Sequence, residues 1–140
     1  MELLDKILTK YNFSKRTSIL TVTIEEIERN LQCQLPDDYK YFLENYTEFE
    51  STLGPEYLRL WDIDNILERN LGYEIQEWLE NTIGIGTNGG AECIAIEFLN
   101  HQKYRIILTP FIFDKECHIE IGTSFTDMLV RLDNGIVWFK

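Results

Sequence analysis

Apolar residues recur at helical spacing in the first dozen positions, where Leu4, Ile7, Leu8 and Tyr11 predict an opening helix. Thr23 then stands three residues before Glu26, the arrangement of a capping box, and Ile24, Ile27 and Leu31 form the stripe of a second, short helix. In QLPDDYKYFLENY, Pro36 has the fixed φ suited to a first helical turn, and Asp37 and Asp38 complement the helix dipole. Tyr39, Phe42, Leu43 and Tyr46 supply one apolar face, which makes a third helix. After a turn at Gly54-Pro55 the period changes to two in YLRLW, a strand. Residues 62–81 return to helical spacing, with Ile63, Ile66, Leu67, Leu71, Ile75, Trp78 and Leu79 on one face and a break expected at Gly72. Beyond Asn81 the runs IGIG, ECIAIEF, YRIILTPFIF and CHIEIG are β-rich. Turn-forming stretches at Asn88-Gly89-Gly90 and Asn100-His101-Gln102-Lys103 separate them, so they predict a meander of neighbouring strands. Ser124 and Asp127 repeat the capping pattern before Phe125, Met128, Leu129 and Leu132. This last helix precedes Asn134-Gly135 and a short terminal IVWF.

No internal repeat, low-complexity segment or linker interrupts this order. Residues 1–140 are therefore expected to form a single α+β domain. A chain of this length buries about 70% of its unfolded surface in one core. The N-terminal stretch is amphipathic and contains acids, with no small-residue cleavage site, and no run reaches the roughly 18 apolar residues of a membrane span. A soluble, cytoplasmic protein is expected. Cys33, Cys93 and Cys117 are odd in number and widely spaced, which argues against a disulfide framework or a structural zinc site and for buried free thiols.

Charge changes the picture more than composition does. The chain carries a formal net charge of −11, and residues 37–80 alone hold twelve acids against three bases. A field of that sign repels phosphate backbones and anionic lipid, so nucleic acid and membranes are expected to be excluded as partners. A basic protein partner fits better. Solubility alone also favours excess Asp and Glu, and both readings stay open.

Candidate chemistry is sparse. Gly84-Ile85-Gly86-Thr87-Asn88-Gly89 matches G-x-G-x-x-G, a pattern that binds dinucleotides only where a strand leads in and a helix leads out. Here ECIAIEF follows, alternating with period two, and no acid stands near the position where the ribose partner belongs. The stretch reads as a glycine-rich strand connection, with no cofactor expected. Only two histidines occur: His101 in an expected turn, and His118 in an expected strand beside Cys117. Adjacent strand residues point to opposite faces, so the pair is a poor metal site. Ser124 lacks a nucleophile elbow and reads as a helix cap. Asp62 with Asp64, and Glu25 with Glu26, could serve acid–base chemistry, but among twenty-four acids such pairs are usually a solvated face.

The order of elements carries more information than any one motif. Thr23-Ile24-Glu25-Glu26-Ile27-Glu28 is followed by Leu35-Pro36 with Tyr39, Phe42 and Leu43, and then by Leu60-Trp61. Ile85-Gly86 with Asn88-Gly89-Gly90 and ECIAIEF come next, and Gly122-Thr123-Ser124-Phe125 stands before the last helix. Together these resemble the SUKH superfamily, the family of the yeast Smi/Knr cell-wall synthesis regulators, over roughly residues 20–133. The resemblance implies an α+β fold with a curved, largely antiparallel sheet, helices packed against it, and no enzymatic activity. Bacterial members look like immunity proteins that neutralise secreted polymorphic toxins, many of them nucleases or deaminases; eukaryotic relatives act as interaction modules in regulatory complexes.

The expected function is thus a non-enzymatic immunity protein with a basic toxin domain as partner. A protein–protein module in a signalling or cell-wall complex is the alternative. An Asn-Gly-Gly-like turn commonly follows the LP helix in this family, whereas Tyr46-Thr47-Glu48-Phe49-Glu50 stands there in this chain. That departure, inside the acidic third, directs the expected partner surface to Phe49, Tyr57 and Trp61 as aromatic anchors. Glu48, Glu50, Glu56, Asp62 and Asp64 are the corresponding steering charges. Trp61 lies in an alternating run, and a core position is the competing reading for it.

Overall fold

The computed structural model describes residues 1–100 and 102–139, and so the expected turn residue His101 lies outside the described residues. Three helices open the chain: α1 (Glu2–Lys10), α2 (Ile24–Leu31) and α3 (Asp37–Asn45). A hairpin of β1 (Phe49–Leu53) and β2 (Glu56–Leu60) leads into α4 (Ile63–Gly72) and α5 (Ile75–Trp78). Strands β3 (Thr82–Thr87), β4 (Glu92–Asn100), β5 (Lys103–Pro110) and β6 (Ile119–Gly122) follow, and α6 (Phe125–Asp133) closes the fold. The six strands form one sheet in the order β1-β2-β3-β4-β5-β6, antiparallel throughout. It curls into a half-barrel.

The caps expected from sequence are formed: the Thr23 hydroxyl accepts from the Glu26 N–H, and the Ser124 hydroxyl accepts from the Asp127 N–H. Each satisfies a donor that the first helical turn leaves without a partner. On the helical side, Tyr39, Phe42 and Phe125 interlock α3 with α6 at ring distances of 5.2–6.2 Å. Asp38 ties this layer to the sheet, accepting from the Tyr104 hydroxyl of β5 and from the Thr126 N–H of α6.

Strand β4 departs from the expected alternation, since Cys93, Ile94, Ala95 and Ile96 are all buried. Helices cover one face of the sheet, whereas Trp61 and Ile75 reach the other. A side chain at Gly84 would meet Ile75 at 2.5 Å, Trp61 at 3.2 Å and the Cys93 sulfur at 3.4 Å, so the bare glycine makes room for this second layer.

The same layer closes a strand edge. β2 pairs with β3 only through Arg59–Thr87 and Leu60–Gly86, which leaves the start of β3 paired with β4 on one side and without a strand on the other. The buried Asn70 amide of α4 fills the gap, donating to the Gly84 carbonyl and accepting from the Gly84 N–H. Gln76 donates both to Asn70 and to the Thr82 carbonyl. Two side-chain amides thus stand in for a strand.

Several expectations are corrected. β1 is a strand where only a loop had been foreseen. Leu71 is exposed because Asn70 takes the buried slot of its turn of α4, and Trp78 is exposed because Glu74 adopts φ +55 and breaks the helical phase between α4 and α5. Cys117 lies exposed in a 3-10 turn and His118 just beyond it, both outside the strand, while Cys33 is only half-buried. In the terminal stretch after Gly135, Trp138 packs into the core.

Candidate functional site

The glycine motif occupies a strand, turn and strand, with β3 running into β4 and no helix following. Gly89 has φ +83, and the Tyr57 ring lies 2.6–2.7 Å from where its Cβ would be, so a side chain there would be strained and would collide with Tyr57. The turn is closed by Asn88, whose side-chain oxygen accepts from the N–H groups of Gly90 and Glu92.

Among the described residues, no group of three His, Cys, Asp or Glu side chains could hold a metal ion. Burial, reinforced by Glu28, pushes the Cys33 thiol up to about 12, and burial alone raises Cys93 further. Neither is poised as a nucleophile at neutral pH. A cleft of about 890 Å3 opens between the α2–α3 connection and the β3 end of the sheet, lined by Cys33, Asp38, Gln76, Asn81 and Tyr104 among others. Its Asp38 carboxylate is already committed to holding α3, β5 and α6 together. No described helix is long and apolar enough to cross a membrane.

The eight residues singled out as a partner surface divide into two groups. Phe49 and Trp61 are core residues, 7% and 2% exposed, which corrects their expected role as anchors. Alternation in β1 turns Phe49 inward to stack on Phe13 at 3.7 Å, while Trp61, just past the end of β2, fills the space beside Gly84. Asp62 also points to an internal task. It caps α4 through the Ile63 N–H and pairs with Arg16, a side chain only 6% exposed that also donates to the carbonyls of Leu43 and Tyr46 at the end of α3. This pin fastens the segment after α1 to the start of α4.

The remaining five lie at the surface with unequal freedom. Glu48 pairs with Arg59 across the hairpin, and Glu56 accepts from the backbone N–H of Trp138. Tyr57, 38% exposed, has Glu50 as hydrogen-bond partner, and that bond, helped by burial and by the carboxylate charge, raises the phenol's pKa. Asp64 accepts from the Thr21 hydroxyl. The hairpin does gather Glu48, Glu50, Glu56 and Tyr57, but most of its charge is engaged within the fold.

A second surface went unforeseen. Tyr73, at the end of α4, stacks on buried Trp61 with ring centres 6.0 Å apart. Its ring also meets Phe111 at 4.4 Å, and Phe111 meets Phe113 at 6.1 Å. The two segments that carry the ladder also carry exposed acids, Glu68, Glu74 and Glu77 on α4–α5 and Asp114 and Glu116, with Lys115 between them, on the β5–β6 connection. A signal was available in Pro110, because proline lacks a ladder N–H and ends β5; after one further bond, from the Phe111 N–H to the Ala91 carbonyl, Ile112 and Phe113 leave the sheet.

All three cations of residues 37–80 are occupied by neighbours. Lys40 lies between Glu28 and Asp37, Arg59 pairs with Glu48, and the Arg69 guanidinium stands 5.8 Å over Trp61. Of the acids that outnumber them, Asp38, Asp62 and Glu56 are engaged within the fold, whereas Glu44, Glu68, Glu74, Glu77 and Glu80 are exposed and make no ion pair among the described residues.

The model of the SMI1 / KNR4 family (SUKH-1) matches residues 19–131. Comparison with curated proteins returns no match.

Proposed function

Because the chain belongs to the SMI1 / KNR4 family (SUKH-1), we propose that it is a cytoplasmic immunity protein of bacterial type. It binds and neutralises a cognate toxin domain without chemistry of its own. The observation that carries this reading is the unbalanced charge of residues 37–80, whose three bases are held by internal partners while acids cover the exterior. Nucleases and deaminases that act on nucleic acid need a basic groove, and an acidic surface competes for such a groove by steering and by direct contact. The same charge disfavours binding to nucleic acid itself.

Co-expression with the product of the adjacent gene tests the reading. A one-to-one complex surviving purification, together with loss of toxicity in cells that carry both genes, is the expected result. A toxic neighbour that neither associates with this chain nor is suppressed by it would remove the toxin-neutralising role.

A further inference from the structure

We propose that the partner docks on the aromatic ladder where the end of α4 meets the β5–β6 connection. Tyr73, Phe111, Ile112 and Phe113 serve as anchors there, and the partner presents an arginine-bearing, basic protein surface. The inference rests on the toxin-neutralising reading and adds the location and chemistry of the contact.

Stacking welds two segments distant in sequence into one surface. Tyr73 lies nearly parallel to Trp61, at 10°, and at 29° to Phe111, so a fully packed indole backs the exposed rings. Tyr73 is 40% exposed and Ile112 89% exposed, while Phe111 and Phe113 are half-buried. Isolated exposed apolar residues are ordinary, but a cluster of rings in mutual contact, rimmed by charge, has the make-up of an interface centre. Rigid rings also lose little conformational entropy on docking.

The charge at the rim selects the partner. Among the described residues, the carboxylates of Glu68, Glu74, Glu77 and Glu116 make no ion pair and no side-chain hydrogen bond, unlike Glu48 and Glu56 of the hairpin. Arg69, the nearest cation on α4, is drawn over Trp61. Glu74 holds φ +55, a left-handed conformation that glycine adopts without cost, yet an acid stands there beside the ring of Tyr73. Flat aromatic faces beside unpaired carboxylates suit guanidinium groups, which stack on rings while pairing with acids. An apolar partner would leave the carboxylates desolvated without counter-charge, and a nucleic acid would be repelled.

The test uses the toxin domain encoded beside this chain, inactivated in its active site. Two variants of the full chain spare the fold. Ile112→Ser changes a side chain that is almost wholly in solvent, and Glu74→Gly removes a charge while relieving the backbone. Combined, they should weaken binding at least tenfold with melting unchanged or raised. Hydrogen exchange in the complex should slow across residues 69–80 and 110–117. Unchanged affinity, or protection confined to the β1–β2 hairpin, would overturn the inference and leave the toxin-neutralising reading standing. A toxin domain that does not bind the wild-type chain would remove both.

Discussion

The β1–β2 hairpin and the α4–α5 segment are both rich in acids and aromatics, yet the fold treats them in opposite ways. In the hairpin, Glu48 is paired with Arg59, Glu56 holds the Trp138 N–H, and the adjoining Asp62 is bound to Arg16; Phe49 and Trp61 face the core. In α4–α5, Glu68, Glu74 and Glu77 are exposed without an ion pair among the described residues, and the rings of Tyr73 and Trp78 face outward. Charge counted along a sequence is therefore a poor map of the field a partner meets. What reaches the partner is the charge left after internal pairing, together with whatever apolar surface packing did not consume.

The contrast is broken most severely at Trp61, on which both regions lean. Trp61→Ala should destabilise the fold by about 3–5 kcal/mol, because it opens a cavity beside Gly84 and removes the base under Tyr73. Denaturant unfolding measures it, and a loss below roughly 1 kcal/mol would mean the indole is no core residue. Asn70→Leu comes next. It strips both hydrogen bonds from Gly84 and frees Gln76, an expected cost of roughly 2–4 kcal/mol. A near-neutral effect would show that the edge of β3 needs no side-chain partner.

A smaller effect separates the regions by pH. Burial lowers the pKa of His118, against the opposing charge of Glu97, so this side chain stays neutral in the folded protein while the unfolded chain takes up a proton more readily. Its contribution is complete above the ordinary histidine value near 6.5 and is lost as pH falls through the lower folded value. Acidification toward pH 5.5 should therefore loosen the β5–β6 connection before the hairpin. Melting of wild type against His118→Gln at pH 7.5 and 5.5 checks this; the variant should show the smaller drop.

Periodicity revealed most of the framework, because α1, α2, α3 and α6 each turn a regular apolar stripe into the core. β1 escaped notice because Glu50, Ser51 and Thr52 are all exposed, leaving Phe49 and Leu53 as its only buried residues. The exposure of Trp78 was hidden by a backbone event at Glu74, which helical spacing cannot register. Asn70 left a fainter trace: it stands seven residues after Ile63, in a slot of the apolar stripe, where a polar side chain signals a buried hydrogen-bonding task. The aromatic ladder depends on contact between residues nearly forty positions apart in the chain, and no local pattern encodes that. The acidic third spans both the hairpin and α4–α5; which of the hairpin residues turn inward is decided by strand alternation and, for Asp62, by the pin at Arg16.

Association kinetics with the toxin domain at two ionic strengths test the central claim most directly, using two charge-reversal sets. Glu68→Lys, Glu74→Lys and Glu77→Lys together should slow association about tenfold at low salt and flatten its salt dependence, since surface charge acts chiefly on the on-rate. Glu48→Lys with Glu50→Lys should lower melting, through loss of the Arg59 pair, while changing the on-rate far less. The opposite ranking, with the hairpin set controlling the on-rate and the α4–α5 set leaving it unchanged, would contradict the account.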